Sequence, residues 1–183
     1  MSFFKEVLRK IKFDGGTDRI GPDILFTYWK LSFNNWMVDL CKREFKKFEI
    51  NSKIRPGAYI VGCSQIEIGD NVVIRPEPMI HAETDAQQVT VIIKDDVLIG
   101  SGVHIYVSNH NFHDPSVSIC HQGHTEGAVI LERGCCIGAN TIILPGVVIG
   151  ENAVVGAGSV GTKSIPKQVI AVGNPAKVIK NII

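Results

Sequence analysis

The sequence has little of what usually announces a function. Its formal net charge is only +1, from 19 Lys or Arg against 18 Asp or Glu, so the chain as a whole carries no field that would gather nucleic acid. Its five cysteines (Cys41, Cys63, Cys120, Cys135, Cys136) fall into no CxxC or zinc-type spacing. An odd, unpatterned set suits a reducing compartment better than a disulfide framework. No stretch of 18 apolar residues occurs, which excludes a helical membrane span. Residues 1–13 lack the apolar run and small-residue cleavage site of a secretory signal. These absences predict a soluble, cytoplasmic protein. Aromatic residues make up only 7% of the chain, yet both tryptophans and most phenylalanines stand before residue 50. Charge is uneven too: residues 1–55 hold 12 basic against 7 acidic residues, a local +5, and the remainder 7 against 11, a local −4.

What the sequence does have is a period of six. Leu131, Ile137, Ile143, Ile149 and Val155 recur at that interval, and Gly138, Gly150 and Gly156 directly follow three of them. A second column two residues earlier holds Cys135, Thr141, Val147, Ala153 and Ser159. Neither a helix nor an ordinary strand has this period; a solenoid does. Each unit reads as a short strand plus a turn, so three units close a triangular coil of about 18 residues whose stacked strands pair about 4.8 Å apart. The branched residue points inward, and the glycine after it is expected to supply backbone conformations that a Cβ penalises. A hexad ladder by itself says nothing of chemistry and suits a non-catalytic scaffold equally well.

Along the chain, residues 1–50 form a helical appendage and residues 51–183 the coil domain. A first short helix is expected over Phe3 to Phe13, capped by Ser2, with Phe4, Val7, Leu8 and Ile11 at helical spacing. A second is expected over roughly Asp23 to Lys47, carrying Phe26, Tyr28, Trp29, Phe33, Trp36 and Phe45. Two readings are open for this segment. It caps the first coil, as repeat folds require, or its basic and aromatic groups give peripheral contact with a membrane bearing a lipid-linked acceptor. Capping is the simpler reading, because most aromatic stripes are core.

Hexads begin near Ile54 and run through Ile60, Ile68, Ile74 and Ile80 with one slip, then Ile93, Ile99 and Ile105. The step from Ile80 to Ile93 is 13 rather than 12, so 83–88 is expected to bulge outward. Periodicity then fails over 108–127, where His110, His113, His121 and His124 gather beside Asn109, Asn111, Asp114 and Glu126. A polar loop leaving a rigid scaffold is where function usually resides.

The hexads, Ser108-Asn109-His110-Asn111, His121-Gln122-Gly123-His124 and the ending Val172-Gly173-Asn174-Pro175-Ala176-Lys177-Val178-Ile179-Lys180 resemble the hexapeptide-repeat acyltransferases, in the branch of maltose, galactoside and lipopolysaccharide O-acetyltransferases. The resemblance covers roughly residues 54–180 and implies a mainly β fold, a left-handed parallel β-helix, assembled as a homotrimer with intersubunit sites. It implies acetyl transfer from acetyl-CoA to a sugar hydroxyl, plausible in surface polysaccharide synthesis, with N-acetylation of an amino sugar or nucleotide-linked sugar as the alternative. Nucleic acid is not an expected partner.

By the same resemblance His110 is the general base. An alcohol is a poor nucleophile at neutral pH, and an imidazole can take its proton as it attacks an already activated thioester. The amides of Ala139 and Ala157 would hold the pantetheine arm, Thr162 and Lys163 would lie near the CoA phosphates, and Lys177 and Lys180 are further cationic candidates. Ala139, Ala157 and Lys163 are expected along one wall of the cofactor groove. On the acceptor side stand Asn109, Glu83 and Arg75, the last where relatives often place asparagine. An arginine there favours a phosphate or carboxylate on the acceptor, or is a structural ion-pair partner. Four histidines also admit zinc, which gamma-class carbonic anhydrases bind on this fold; because the chain's ending resembles a CoA-binding one, no metal is expected.

Overall fold

The computed structural model describes residues 3–14, 16–24, 26–84, 88 and 90–182. From residue 47 onward the chain lays down short strands in strict rotation on three parallel sheets. The first face holds Lys47–Phe48, Ile66–Ile68, Val91–Ile93, Val129–Leu131 and Val148–Ile149. The second holds Lys53–Ile54, Val73–Ile74, Leu98–Ile99, Cys136–Ile137 and Val154–Val155. The third holds Tyr59–Val61, Met79–His81, His104–Tyr106, Ile142–Ile143 and Val160–Gly161.

The register explains the hexads. Phe48, Ile68, Ile93, Leu131 and Ile149 pair in succession on the first face. Ile54, Ile74, Ile99, Ile137, Val155 and Ala171 do so on the second, and Ile60, Ile80, Ile105, Ile143 and Gly161 on the third. Ladder residues such as Ile60, Ile74, Ile105, Leu131 and Ile143 are fully buried, and burying one branched side chain contributes about 1.5–3 kcal/mol. Phe48 occupies the inward position one hexad before Ile54. The slip between Ile60 and Ile68 is a 3-10 turn at Cys63–Gln65.

The second column is also buried: Cys135, Thr141, Val147, Ala153 and Ser159 are at most 1% exposed. Its polar members are satisfied. Thr141 Oγ1 donates to the Gly156 carbonyl at 3.2 Å, and Ser159 Oγ accepts from the Gly173 amide at 3.0 Å. Burial pushes the Cys135 thiol up to about 12, which removes it as a nucleophile.

The glycines after the hexad residues serve a purpose other than the expected one. Gly138, Gly150 and Gly156 are not in the left-handed region; the next coil passes too close for a side chain. A Cβ on Gly138 would lie 2.4 Å from the Ala157 amide nitrogen, and one on Gly150 2.4 Å from that of Lys167.

The N-terminal segment departs from the single long helix. After α1 (Phe3–Asp14), two helices, α2 (Thr27–Ser32) and α3 (Asn34–Glu44), are separated by Phe33 in an extended conformation. Ser32 Oγ donates to the Tyr28 carbonyl at 2.9 Å, taking up an end-of-helix acceptor, and the two asparagines that follow are weak helix formers. The proposed Ser2 cap lies outside the described residues, as do positions 85–87 of the predicted bulge. Leu31, Met37, Val38, Leu40, Cys41, Phe45 and Phe48 are buried over the first coil, so part of the aromatic stripe does cap the solenoid. A strand at Arg19–Ile20 adds antiparallel to Tyr59–Val61 and extends the third face. At the other end, Val169–Val172 and Lys177–Asn181 form an antiparallel pair on the second face, a closure that the weak periodicity did not foretell. No described helix is long and apolar enough to cross a membrane.

Candidate active site

The third face is bounded by two edges. The chain enters it from the second face at a leading edge and leaves toward the first at a trailing edge. The residues read from the sequence divide between the two.

At the trailing edge, directly after His104–Tyr106, the chain leaves the coil as a hairpin. Ser108–His110 pairs antiparallel with His124–Glu126, setting Asn109 opposite Thr125 and His110 opposite His124. Asn109 and His110 are exposed. The rest of the excursion is tied to itself. Asn111 Nδ2 donates to the Gln122 carbonyl at 3.1 Å, and Thr125 Oγ1 donates to Asn111 Oδ1 at 2.6 Å. Gln122 Nε2 donates to the carbonyls of Asp114 and Val117, both at 2.8 Å. The loop that carries His110 is therefore a braced structure. Asn111 and Gln122, which brace it, were quoted in the sequence motifs without a role. Their short amide side chains in a polar loop were the available signal.

Glu83, on the same edge one coil earlier, reaches this hairpin. Its Oε2 lies 3.8 Å from His124 Nε2, which stands 3.2 Å from Glu126 Oε1. Glu83, His124 and Glu126 are the one group among the described residues whose ligand atoms converge as a cation site would need. His124 alone of the four loop histidines belongs to that group. His113 and His121 are exposed.

The leading edge is chemically different. Arg75 stands at the position that Gly100, Gly138 and Gly156 take in later coils, its amide donating to the Ile99 carbonyl at 3.0 Å. Its side chain is exposed, and no carboxylate among the described residues pairs with it. The next position along this edge is Ser101, then Ala139, then Ala157. The amides of Gly138 and Asn140 donate to the Val155 and Ser101 carbonyls, whereas the Ala139 and Ala157 amides donate to no carbonyl of the described residues. The corresponding corners between the first and second faces carry Asp95, Arg133, Glu151 and Lys167. At the leading edge these positions carry small side chains beside amides that donate to no backbone carbonyl, whereas the other corners carry charged ones.

Thr162 and Lys163 are not on this wall. They follow Val160–Gly161 and precede Ile165, which bridges to Ile149 of the first face, so both sit at the trailing edge, in line with the His110 hairpin. The expectation of one wall fails because Ala139 and Ala157 are 18 residues apart, a full coil, whereas Lys163 is six beyond Ala157 and therefore one face further on. Lys177 and Lys180 lie on the last strand, opposite Val172 and Ile170, both exposed. Cys136, half-buried, faces outward on the second face.

Between the edges, the outer side of the third face carries a row of rings that the six-residue period does not mark. Tyr59, His81 and Tyr106 meet at a tilt of 38° and 39°, with ring centroids 5.8 and 5.6 Å apart, one coil per step. His104 Nδ1 lies 3.0 Å from the Tyr106 hydroxyl. Arg19 lies over Tyr59, 5.8 Å from its centroid, and Arg19 Nη2 pairs with Asp23 at 2.8 Å. Burial, followed by the nearby His104 charge, holds the His81 pKa below the usual histidine range.

The sequence model of the bacterial transferase hexapeptide (six repeats) matches residues 128–160. A galactoside O-acetyltransferase of Escherichia coli is 34% identical over 148 residues, covering 78% of this chain and 67% of that one. The chain belongs to the hexapeptide-repeat acetyltransferases. A dTDP-3-amino-3,6-dideoxy-α-D-galactopyranose 3-N-acetyltransferase of Aneurinibacillus thermoaerophilus is 52% identical over a shorter 52 residues, 28% of this chain and 27% of that one. Among solved structures, a galactoside acetyltransferase in complex with coenzyme A superposes with a TM-score of 0.75 at 27% identity, covering 100% of this chain and 86% of that one. The longer alignments to curated family members span about two thirds of those proteins' own length.

Proposed function

We propose that the protein transfers acetyl from acetyl-CoA to a hydroxyl of a sugar, with His110 as general base, on a left-handed parallel β-helix. The observation that carries the reading is the division of the candidate residues between the two edges of the third face. His110, Asn109, Glu83, Thr162 and Lys163 line the trailing edge; Arg75 and the free amides of Ala139 and Ala157 line the leading edge. One chain holds these sets apart on opposite sides of its own sheet. A second copy, laid alongside with its leading edge against the first copy's trailing edge, brings them together, and three such contacts close a ring.

In that arrangement the cofactor runs along the coil axis. The thioester lies at the level of the His110 hairpin, the pantetheine arm passes the amides of Ala139 and Ala157 one coil apart, and the phosphates meet Thr162 and Lys163, with Lys177 and Lys180 beyond. The acceptor hydroxyl attacks the thioester carbonyl carbon while the imidazole of His110 takes its proton. The C–S bond breaks, and CoA leaves as thiolate and is protonated. Amides aimed at the developing oxyanion stabilise it more than the ground-state carbonyl. Acetyl-CoA places the enzyme in the cytoplasm, and a sugar ester of this kind suits surface polysaccharide synthesis. The helical segment up to about residue 50 is a separate unit that caps the coil.

A second reading is N-acetyl transfer to an amino sugar. It is favoured by the carboxylates of Glu83 and Glu126, which stand beside His124 opposite His110 and suit an acceptor bearing an ammonium group. Release of free thiol from acetyl-CoA, followed across a panel of neutral and amino sugars, tests both readings. Product identification decides between ester and amide, and no thiol release with any sugar contradicts both.

A further inference from the structure

Part of the N-terminal aromatic stripe caps the coil, and the larger part does not. Phe26 is 62% exposed, Tyr28 57%, Trp29 63%, Phe33 51% and Trp36 58%, the largest concentration of exposed aromatic surface among the described residues. Phe26, Trp29, Trp36 and Phe33 adjoin one another. Phe26, Trp29 and Trp36 line an open cleft of about 550 Å³ with Leu40, Lys30, Asp39 and Arg43. A second cleft of about 360 Å³ shares Phe26, Lys30, Leu40 and Arg43 with the first and adds Ile11 of α1. Phe33 and Trp36 meet edge to face at 5.3 Å. Ile11 and Leu8 are themselves about half exposed, at 47% and 50%.

An apolar surface of this size on a protein marks something that covers it. We infer that the N-terminal cap docks on an anionic lipid bilayer. Three features favour a bilayer over a protein partner. Tryptophan and tyrosine, with an apolar body and a polar tip, are the residues that settle at the boundary between headgroups and acyl chains. Lys5, Lys12, Lys42 and Lys46 of the same segment are exposed, and such side chains meet anionic headgroups while neighbouring rings enter the apolar layer. The charge is polarised, +3 over residues 1–50, from 10 basic against 7 acidic, and −2 over the rest, from 9 against 11, so an anionic surface favours approach by the cap end. The cap sits at one end of the coil, its contact with the third face lying at the first coil, where Asp18 accepts from Ser64 and Arg19–Ile20 pairs with Tyr59–Val61. In the side-by-side assembly proposed above, on which this last point rests, the caps of all copies face one plane and bind with avidity.

The test is co-sedimentation of the full chain with vesicles of phosphatidylcholine alone and of phosphatidylcholine mixed with phosphatidylglycerol, at low and high salt. Both tryptophans lie in the cap, so their fluorescence reports entry into the bilayer. The inference predicts a bound fraction at least roughly tenfold higher on the anionic vesicles, a blue shift on binding, and release as salt rises. It predicts that W29S/W36S loses most binding in co-sedimentation while far-ultraviolet circular dichroism and particle mass stay unchanged. Absence of binding, or equal binding to both vesicle types, overturns it. So does a fall in particle mass for W29S/W36S, which would assign the surface to a second copy of the chain. Thiol release from acetyl-CoA in solution is measured separately, so failure of the transferase reading and failure of docking are told apart.

Discussion

His110 is one exposed histidine among several, and what distinguishes it is its support. It ends a strand that continues directly from the third face, pairs opposite His124, and rides on a loop braced by Gln122 and Asn111. Removing the imidazole leaves that bracing intact. H110A is therefore expected to lower the transfer rate by a factor of roughly 10² to 10⁴, the usual contribution of a general base, with CoA affinity nearly unchanged in equilibrium titration. Turnover near the wild-type rate would exclude this role. His81 gives a different prediction. Its pKa in the folded chain is lowered by burial, so below about pH 6.5 the unfolded chain binds the proton more readily. Stability is unaffected by this group at higher pH and declines as pH falls through that value. Thermal melts from pH 8 to pH 5 should show the decline, and H81F should flatten it.

At the scale of the coil, the inward residue was legible because it recurs every six positions regardless of which face it lies on. Phe48 was missed as the first rung because an aromatic ring there breaks the pattern of branched aliphatics. The reason for the glycines was not legible: the same letter serves for a left-handed turn and for close approach of two coils, and only coordinates separate them. The two cases predict opposite outcomes. At Gly138 an added Cβ meets the Ala157 amide at 2.4 Å, so G138A is expected to cost about 1–3 kcal/mol and lower the melting temperature. Gly158 has φ +69° with nothing within 4 Å of an added Cβ, and Asn140, at its position one coil earlier, has φ +55°. G158N should therefore change stability by less than about 0.5 kcal/mol. The break at Phe33 was hidden because apolar spacing continues through it, and the aromatic row from Tyr59 to Tyr106 because its members are a coil apart in sequence.

For the whole molecule, the sequence named most of the candidate site and misplaced part of it. Resemblance supplies residues one at a time, but a period of six carries the chain round a corner at every unit, so neighbours in the motif lie on different edges. Only the fold shows that Ala157 and Lys163 lie at different edges of the third face, and it is on this division that we propose a set completed when two copies meet. That claim is tested most directly by mixing two inactive variants. H110A retains the leading edge, and A157W, whose indole blocks the amide column, retains the trailing edge. Reassembly of the two from denaturant in equal amounts, with mixed oligomers verified by two affinity tags, should restore about one quarter of wild-type transfer, because that fraction of contacts pairs an intact trailing edge with an intact leading edge. Mixed oligomers with no recovered activity would mean that each chain carries its own site, and would contradict the account.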